Sequence, residues 1–291
     1  MTVRESWLQT RDRLEAADVV DAGLEAEVLL RYVLGIDRAE YFASLERPVA
    51  LPEQDLADTL AERRIAGEPL AYILGRREFY GHEFGVGPGV LVPRQETELL
   101  VDVALEFVST RNLRQPLIAD VGTGSGAIAI AVAKALPDAT VYATDISHDA
   151  LKIAEANVLA HDVQDAMYLL QGDLLEPLPG PVDIVVSNPP YLTTDELLGL
   201  SSEVRREPET ALDGGCDGLS AISELMRQAA GLVQKPRLLA VEIAPSQLES
   251  VVLLAQGLFP DSQVTHLLDL AGLPRVVHVL LSDHSAGKNI V

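Results

Sequence analysis

The run Asn188-Pro189-Pro190-Tyr191 follows an apolar stretch, Val182 to Ser187, that reads as a strand. Consecutive prolines remove two backbone donors and fix two φ angles. The loop is therefore rigid at the carboxyl end of a sheet strand, where α/β proteins bind ligands. The Asn188 side chain and neighbouring backbone carbonyl oxygens can both accept hydrogen bonds from a planar NH2 group, and Tyr191 offers it a flat face. An NH2 group conjugated to a carbonyl or a ring is a poor nucleophile, because its lone pair is delocalised. Acceptors that draw its hydrogens out of the plane and aim the lone pair at an electrophilic methyl favour the transition state over the ground state. No strong base is required, since the alkylated nitrogen becomes acidic and sheds its proton afterwards. By itself, Asn-Pro-Pro also reads as an ordinary turn.

Upstream, Asp120-Val-Gly122-Thr123-Gly124-Ser125-Gly126-Ala127 lies between two apolar runs. Glycines there let the backbone turn sharply and approach a ligand, and a helix opening at such a loop presents free N–H groups. The spacing also satisfies Gly-x-Gly-x-x-Ala, a dinucleotide pattern. Asp145 closes the next apolar run, about twenty residues on, where a carboxylate accepts hydrogen bonds from both ribose hydroxyls of an adenosyl cofactor. An aspartate at that place can also be merely the cap of a helix starting near Ser147. Glycine loop and aspartate together point to a nucleoside cofactor, NAD or S-adenosylmethionine. The Asn188 loop, suited to methylating an NH2 group, decides for the second.

These loops need a sheet to hold them. From Leu117 onward the sequence alternates strands and helices: strands at 117–121, 140–143, 167–170, 182–186 and 237–242, with helices at 125–136, 147–160, 218–233 and 246–258. Such alternation predicts a mostly parallel sheet covered on both faces. The closing strands, 263–268 and 275–281, are joined by too short a stretch for a helical crossover and should pair antiparallel. Residues 1–75 read as a bundle of four or five short helices, with stripes such as Leu24, Val28, Leu29, Tyr32 and Val33, or Leu56, Leu60 and Ile65, and with breakers at Gly35, Pro48–Pro52 and Gly67–Pro69. Residues 76–94 combine aromatic and β-branched residues with glycines and predict a β-hairpin linker. Residues 95–283 form the sheet domain, and 284–291 a loose tail.

Other chemistries are set aside on residue type. Cys216 is the single cysteine of the 291-residue chain. It can form no intramolecular disulfide, has no evident His partner, and belongs to no ligand cluster, so neither a thiolate nucleophile nor a metal site is expected. His82 reads as structural or surface, and Arg205-Arg206 as a solvated pair. No window approaches the roughly 18 apolar residues of a membrane span. The first residues carry Arg4, Glu5, Arg11, Asp12 and Arg13, against a secretory leader. A cytoplasmic location follows. With 44 acidic against 22 basic residues the formal charge is −22, spread as 17 against 10 over residues 1–90 and 27 against 12 over the remainder. No cationic stripe is available to neutralise phosphates, so direct nucleic-acid binding is not expected.

The glycine loop Gly122–Gly126 with Asp145 and Asn188–Tyr191 resembles the class I S-adenosylmethionine-dependent amino-methyltransferases, which include adenine-N6 DNA methylases and protein-glutamine methylases. Flanking segments narrow the resemblance: Gly67–Gly75, Glu78-Phe-Tyr-Gly81 with Phe84, Val92–Glu98, Glu207–Gly215 with Asp217–Leu219, and Asp269–Arg275. All are similar to the release factor glutamine methyltransferases, over nearly the whole chain. The resemblance implies a Rossmann-like sheet and methylation of the side-chain amide of the glutamine in the Gly-Gly-Gln loop of peptide chain release factors, with the helical bundle helping to hold the factor. A monomer is expected. It also implies that Gly122, Thr123, Gly124, Ser125, Gly126 and Asp145 hold S-adenosylmethionine, with Asp173 and Leu174 at the adenine. Asn188, Pro189, Pro190 and Tyr191 would grip the glutamine amide, Asn188 also bordering the cofactor. Pro93, Arg94 and Glu98 would form a wall beside it. Gln95 replaces a usual proline, Leu174 a frequent aromatic, and Ala244-Pro245 a glycine-containing turn. Glutamine methylation of a ribosomal protein and adenine-N6 methylation of nucleic acid remain alternatives on the same loop.

Overall fold

The computed structural model describes residues 1–281; the tail expected at 284–291 lies outside the described residues. The described residues divide into two compact units, Met1–Arg76 with Ser201–Arg206, and Arg77–Leu200 with the chain from Glu207 on.

The first unit holds α1 (Val3–Glu15), α2 (Ala22–Leu34), α3 (Arg38–Ala43), α4 (Leu51–Ile65) and α5 (Leu70–Leu74). Local signals set the ends: Thr2 with Glu5 and Asp37 with Glu40 form capping boxes, and Gly35 closes α2 in the left-handed region. The buried stripe differs from the one the large apolar residues suggest. Leu24, Tyr32, Leu56 and Ile65 are exposed, whereas Ala22, Ala26, Leu29 and Leu30 of α2 and Ala57, Leu60 and Ala61 of α4 are buried. Small alanines let helix backbones approach, so they define the packed faces and displace larger neighbours to the rim. Arg64 is buried with Glu25 at 2.6 Å and Glu203 at 2.8 Å. The second of these partners explains why Ser201–Arg206 clusters with helices far away in sequence, which contiguous boundaries at 75 and 94 do not foresee.

The hairpin comprises β1 (Arg76–Phe79) and β2 (His82–Gly85). Tyr80 and Gly81 both take positive φ, as a two-residue hairpin turn requires. Phe79 and Phe84 are buried edge to face at 6.1 Å, in the same core as the sheet domain. Next come α6 (Glu98–Arg111), β3 (Leu117–Val121), α7 (Ala127–Ala135), β4 (Thr140–Asp145), α8 (His148–Ala160), β5 (Met167–Gln171), β6 (Ile184–Ser187), α9 (Thr194–Leu198), α10 (Ser220–Gly231), β7 (Leu238–Glu242), α11 (Leu248–Leu258), β8 (Gln263–Leu268) and β9 (Pro274–Leu280). The described residues form a seven-stranded sheet in the order β5-β4-β3-β6-β7-β9-β8. Only β9 runs against its neighbours, pairing antiparallel with both β7 and β8. The mostly parallel α/β sheet with an antiparallel last strand is thus present. Its last strand sits between β7 and β8, not at the edge, and this separates it from the plain dinucleotide order.

Strand order reverses between β3 and β6. That is the switch point at which open α/β sheets bind ligands. Register pairs Val121 with Ser187, so the glycine loop and Asn188 leave the sheet side by side. Ser187 Oγ donates to the Val121 carbonyl at 2.7 Å, tying the two exits together.

Candidate active site

A cavity of about 250 Å³ opens at this switch point, lined by Gly122, Thr123, Gly124 and Ser125 on one side and by Asn188, Pro190 and Thr97 on another. Asp145, Ile146, Asp173 and Leu174 line it as well. The sequence-predicted residues absent from the lining are Gly126, Pro189 and Tyr191, together with Arg94 and Glu98 of the expected wall.

The glycine loop is held from within. Gly122, Gly124 and Gly126 take φ of +73°, +56° and +83°, a region costly for other residues. A Cβ at Gly122 or Gly124 would meet nothing within 4 Å, so open space borders the backbone there, whereas at Gly126 it would press on Ile130 at 3.2 Å. Gly126 therefore serves packing. Below the loop Asp120 is completely buried, and its Oδ2 accepts from Thr123 Oγ1 at 2.6 Å and from the Ala129 amide at 3.2 Å. Burial pushes this carboxyl up to about 7, against those hydrogen bonds, and Asp145 adds to the rise.

Asp145 is not the helix cap, since Ser147 fills that place and accepts from the Ala150 amide. Its carboxylate accepts from Gly124 N at 2.9 Å and Ser147 N at 2.8 Å. Each oxygen keeps a lone pair for a further donor such as a ribose hydroxyl. Burial raises its pKa, opposed by backbone donors from Ser147, Gly124 and Ile146. Leu174 lies in the left-handed region at φ +48° and its carbonyl accepts from Thr144 Oγ1 at 2.9 Å. The departure from an aromatic leaves an aliphatic surface there, beside exposed Ile146.

The Asn188 loop is held from afar. Asn188 Nδ2 donates to Thr97 Oγ1 at 3.0 Å, and Thr97 Oγ1 donates to Glu242 Oε2 at 2.6 Å. Asn188 Oδ1 is buried with no hydrogen-bond partner in the protein. Glu242, on the last residue of β7, is 1% exposed. Burial lifts its carboxyl to about 7, against the Thr97 hydrogen bond. The Tyr191 phenol is raised to about 12, first by burial and then by Glu242. Its carbonyl accepts from Gln247 Nε2 at 2.9 Å, and the same nitrogen reaches the Gly218 carbonyl at 2.9 Å. Gln247 Oε1 in turn accepts from the Ala244 amide at 2.9 Å, so the Ala244-Pro245 turn is a working brace.

Of the expected wall, Pro93 lines the cavity and Arg94 pairs with Glu207 at 2.7 Å. Glu207, itself buried, also accepts from Val92 N at 3.2 Å. Glu98 is engaged elsewhere, accepting from Tyr80 N at 2.8 Å in the hairpin turn. Gln95 is exposed and starts a 3-10 turn, so nothing there demands a proline. His82 stacks edge-on against His161 at 5.9 Å, away from the cavity. Cys216 is exposed, and no metal-ligand group exists among the described residues. Sequence reasoning missed Asp120, Thr97, Glu242, Gln247 and Asn157. Asn157 donates to Gly85 O and Ser125 O and so clamps the hairpin to the glycine loop. The resemblance segments contained Thr97, but no local pattern marks a residue whose partners lie 91 and 145 positions away.

One side of the cavity presents glycine backbone and the Asp145 carboxylate, and the other presents Asn188, whose buried Oδ1 has no partner in the protein. Two family models match, described as the PrmC N-terminal domain over residues 5–75 and the methyltransferase small domain over 97–213. Among curated relatives, the release factor glutamine methyltransferase of Moorella thermoacetica is 44% identical over 94% of this chain and 97% of its own length. That of Bradyrhizobium diazoefficiens is 41% identical over 91% and 90%. Among solved structures, the hMettl16 catalytic domain superposes with a TM-score of 0.56 at 16% identity, covering 80% of this chain and 83% of that one, a likeness in fold alone. With the fold, the paired loops and this degree of identity in agreement, the chain belongs to the release factor glutamine methyltransferase family.

Proposed function

We propose that this enzyme transfers a methyl group from S-adenosylmethionine to the side-chain amide nitrogen of a glutamine in peptide chain release factors, in the Gly-Gly-Gln loop that the family resemblance implies. The observation that carries the reading is the buried, unpartnered Asn188 Oδ1 beside the glycine-loop cavity. A buried acceptor left unpaired costs free energy, which a substrate NH2 group would recover. Gly122, Thr123, Gly124, Ser125 and Asp145 would hold the cofactor, with Asp173, Leu174 and Ile146 around its base. When bound, the cofactor supplies an electrophilic methyl on a sulfonium sulfur. Asn188 Oδ1 and the loop carbonyls would draw the amide hydrogens out of plane and aim the nitrogen lone pair, while Pro189, Pro190 and Tyr191 fix the loop. The amide nitrogen would take this methyl, an N–C bond forming as the S–C bond breaks, and would then release its proton to solvent.

Residues 1–75 would help hold the factor, and the acid excess would steer the enzyme toward a positively charged loop. A protein substrate of the translation machinery and an acidic surface together favour a cytoplasmic monomer with no direct hold on nucleic acid. The test is to incubate the enzyme with labelled cofactor and a release factor, native and with its loop glutamine changed to alanine. Label enters the native factor alone; label retained on the alanine form overturns the reading.

A further inference from the structure

The carboxamide of Asn188 has an accepting end and a donating end. Turned the wrong way, it would set hydrogens against the hydrogens of a substrate NH2 group. Nothing in Asn188 itself decides the turn, but Thr97 does. Its hydroxyl has one proton, and Oγ1 stands 2.6 Å from Glu242 Oε2. An ionised carboxylate only accepts, so that proton is committed to Glu242. Oγ1 is left with lone pairs alone for Asn188, 3.0 Å away. Nδ2 must therefore face Thr97, which leaves Oδ1 as the buried atom without a partner.

We propose that Glu242 and Thr97 are positioning residues that hold the Asn188 amide, through the Thr97 hydroxyl proton, with its oxygen toward the methyl-accepting NH2 group. This inference rests on the amide-methylation reading above. Glu242 does not line the cavity; it acts from behind, through one hydroxyl.

Protonation reverses the polarity of this relay. A neutral Glu242 can donate to Thr97 Oγ1, which frees the hydroxyl proton for Asn188 Oδ1 and removes the preference for the productive turn. Burial raises this carboxyl to about 7 against the Thr97 hydrogen bond, with Glu96 adding to the rise and Arg275 and Arg94 opposing it. The remaining titratable neighbour, the Tyr191 phenol, is held near 12 and stays neutral across this range. The substrate amide does not titrate there either; Asp120 beneath the glycine loop is also held at about 7, and the Glu242→Gln variant, which leaves Asp120 in place, separates its limb from that of the relay.

The experiment measures kcat against pH for the whole enzyme with saturating cofactor and release factor, in the wild type, Glu242→Gln, Thr97→Val and Thr97→Ser. Wild-type kcat falls on the acid side of about pH 7, and Glu242→Gln flattens that limb. Thr97→Val keeps the shape without the hydroxyl and lowers kcat by about tenfold to a hundredfold, with cofactor Kd within about twofold. Thr97→Ser restores most of that loss. A limb that persists in Glu242→Gln, or wild-type kcat in Thr97→Val, overturns the relay.

A second readout needs no substrate. The side-chain ¹⁵N–¹H resonances of Asn188, identified by their loss in Asn188→Ala, shift with a midpoint near 7 in the wild type and not in Glu242→Gln. A pH-independent Asn188 amide in the wild type overturns the relay even if a variant fails to fold. A normal titration with no methyl transfer overturns the methylation reading instead.

Discussion

The two loops at the switch point face one cavity yet are built in opposite ways. Gly122–Gly126 is braced by residues no more than 32 positions away: Asp120 below it, Thr123 within it, Asp145 on the adjacent strand and Asn157 on the helix that follows. Asn188–Tyr191 is braced by side chains from remote segments, Thr97, Glu242 and Gln247, each separated from the loop by tens of residues. A cofactor common to many enzymes needs only a local cradle. A reaction that depends on the sense of one amide needs an orientation that no tetrapeptide can impose on itself. On the proposed division of labour between the loops, binding and chemistry in this site break separately.

Removing the Asn188 carboxamide is the largest test of that separation. Asn188→Ala should lower turnover by about 10²–10³-fold while calorimetry shows the cofactor still bound. Unimpaired turnover would erase the distinction between the loops. Asp145→Ala should do the reverse, weakening cofactor affinity by about tenfold to a hundredfold with much of kcat recovered at saturation, since charge-assisted hydrogen bonds contribute roughly 1.5–3 kcal/mol.

Gly218→Ala strikes the remote brace alone. Its φ is +71°, and a Cβ there would overlap the Tyr191 carbonyl and stand 2.6 Å from Gln247 Nε2. Denaturant unfolding should show a loss of about 1–3 kcal/mol, with kcat reduced more than cofactor affinity. The last prediction concerns protons. Asp120 and Glu242 have native pKa values raised to about 7, so the folded state binds more protons than the unfolded one between the ordinary carboxylate range and that value. Stability should therefore be greatest at the acid end of this window and decline as pH rises through it. Asp120→Asn should remove about half of that decline, since only one of the two groups is lost; an unchanged slope in urea titrations would contradict the assignment.

The same contrast explains what could be read from residues alone. The glycine loop, Asp145, the Asn188 run and the alternation of strands and helices are patterns within a few turns of chain, and each stands where its spacing predicts. The antiparallel pairing of β8 with β9 followed from the short connection between them. Insertion of β9 beside β7 did not, because hydrogen-bonding order across a sheet leaves no mark on the strand itself. Glu242 looked like the end of a strand, and Thr97 like part of a helix start. Their chemistry exists only where the two meet. In the first unit the error had another source: large side chains drew the eye to Leu24 and Leu56, while close packing selected Ala26 and Ala57.

Ser201–Arg206 carries a last consequence. The chain leaves the helical unit at Arg76, builds four strands of the main sheet and the Asn188 loop, and returns to lend Glu203 to the buried Arg64 before going back. No single cut therefore yields both units whole. A fragment ending at Arg76 would lose one of the two carboxylates that compensate a buried guanidinium, and a helical unit transplanted between relatives would need its returning segment taken along. An exchange between relatives therefore keeps the helical unit whole only when Met1–Arg76 and Ser201–Arg206 move together.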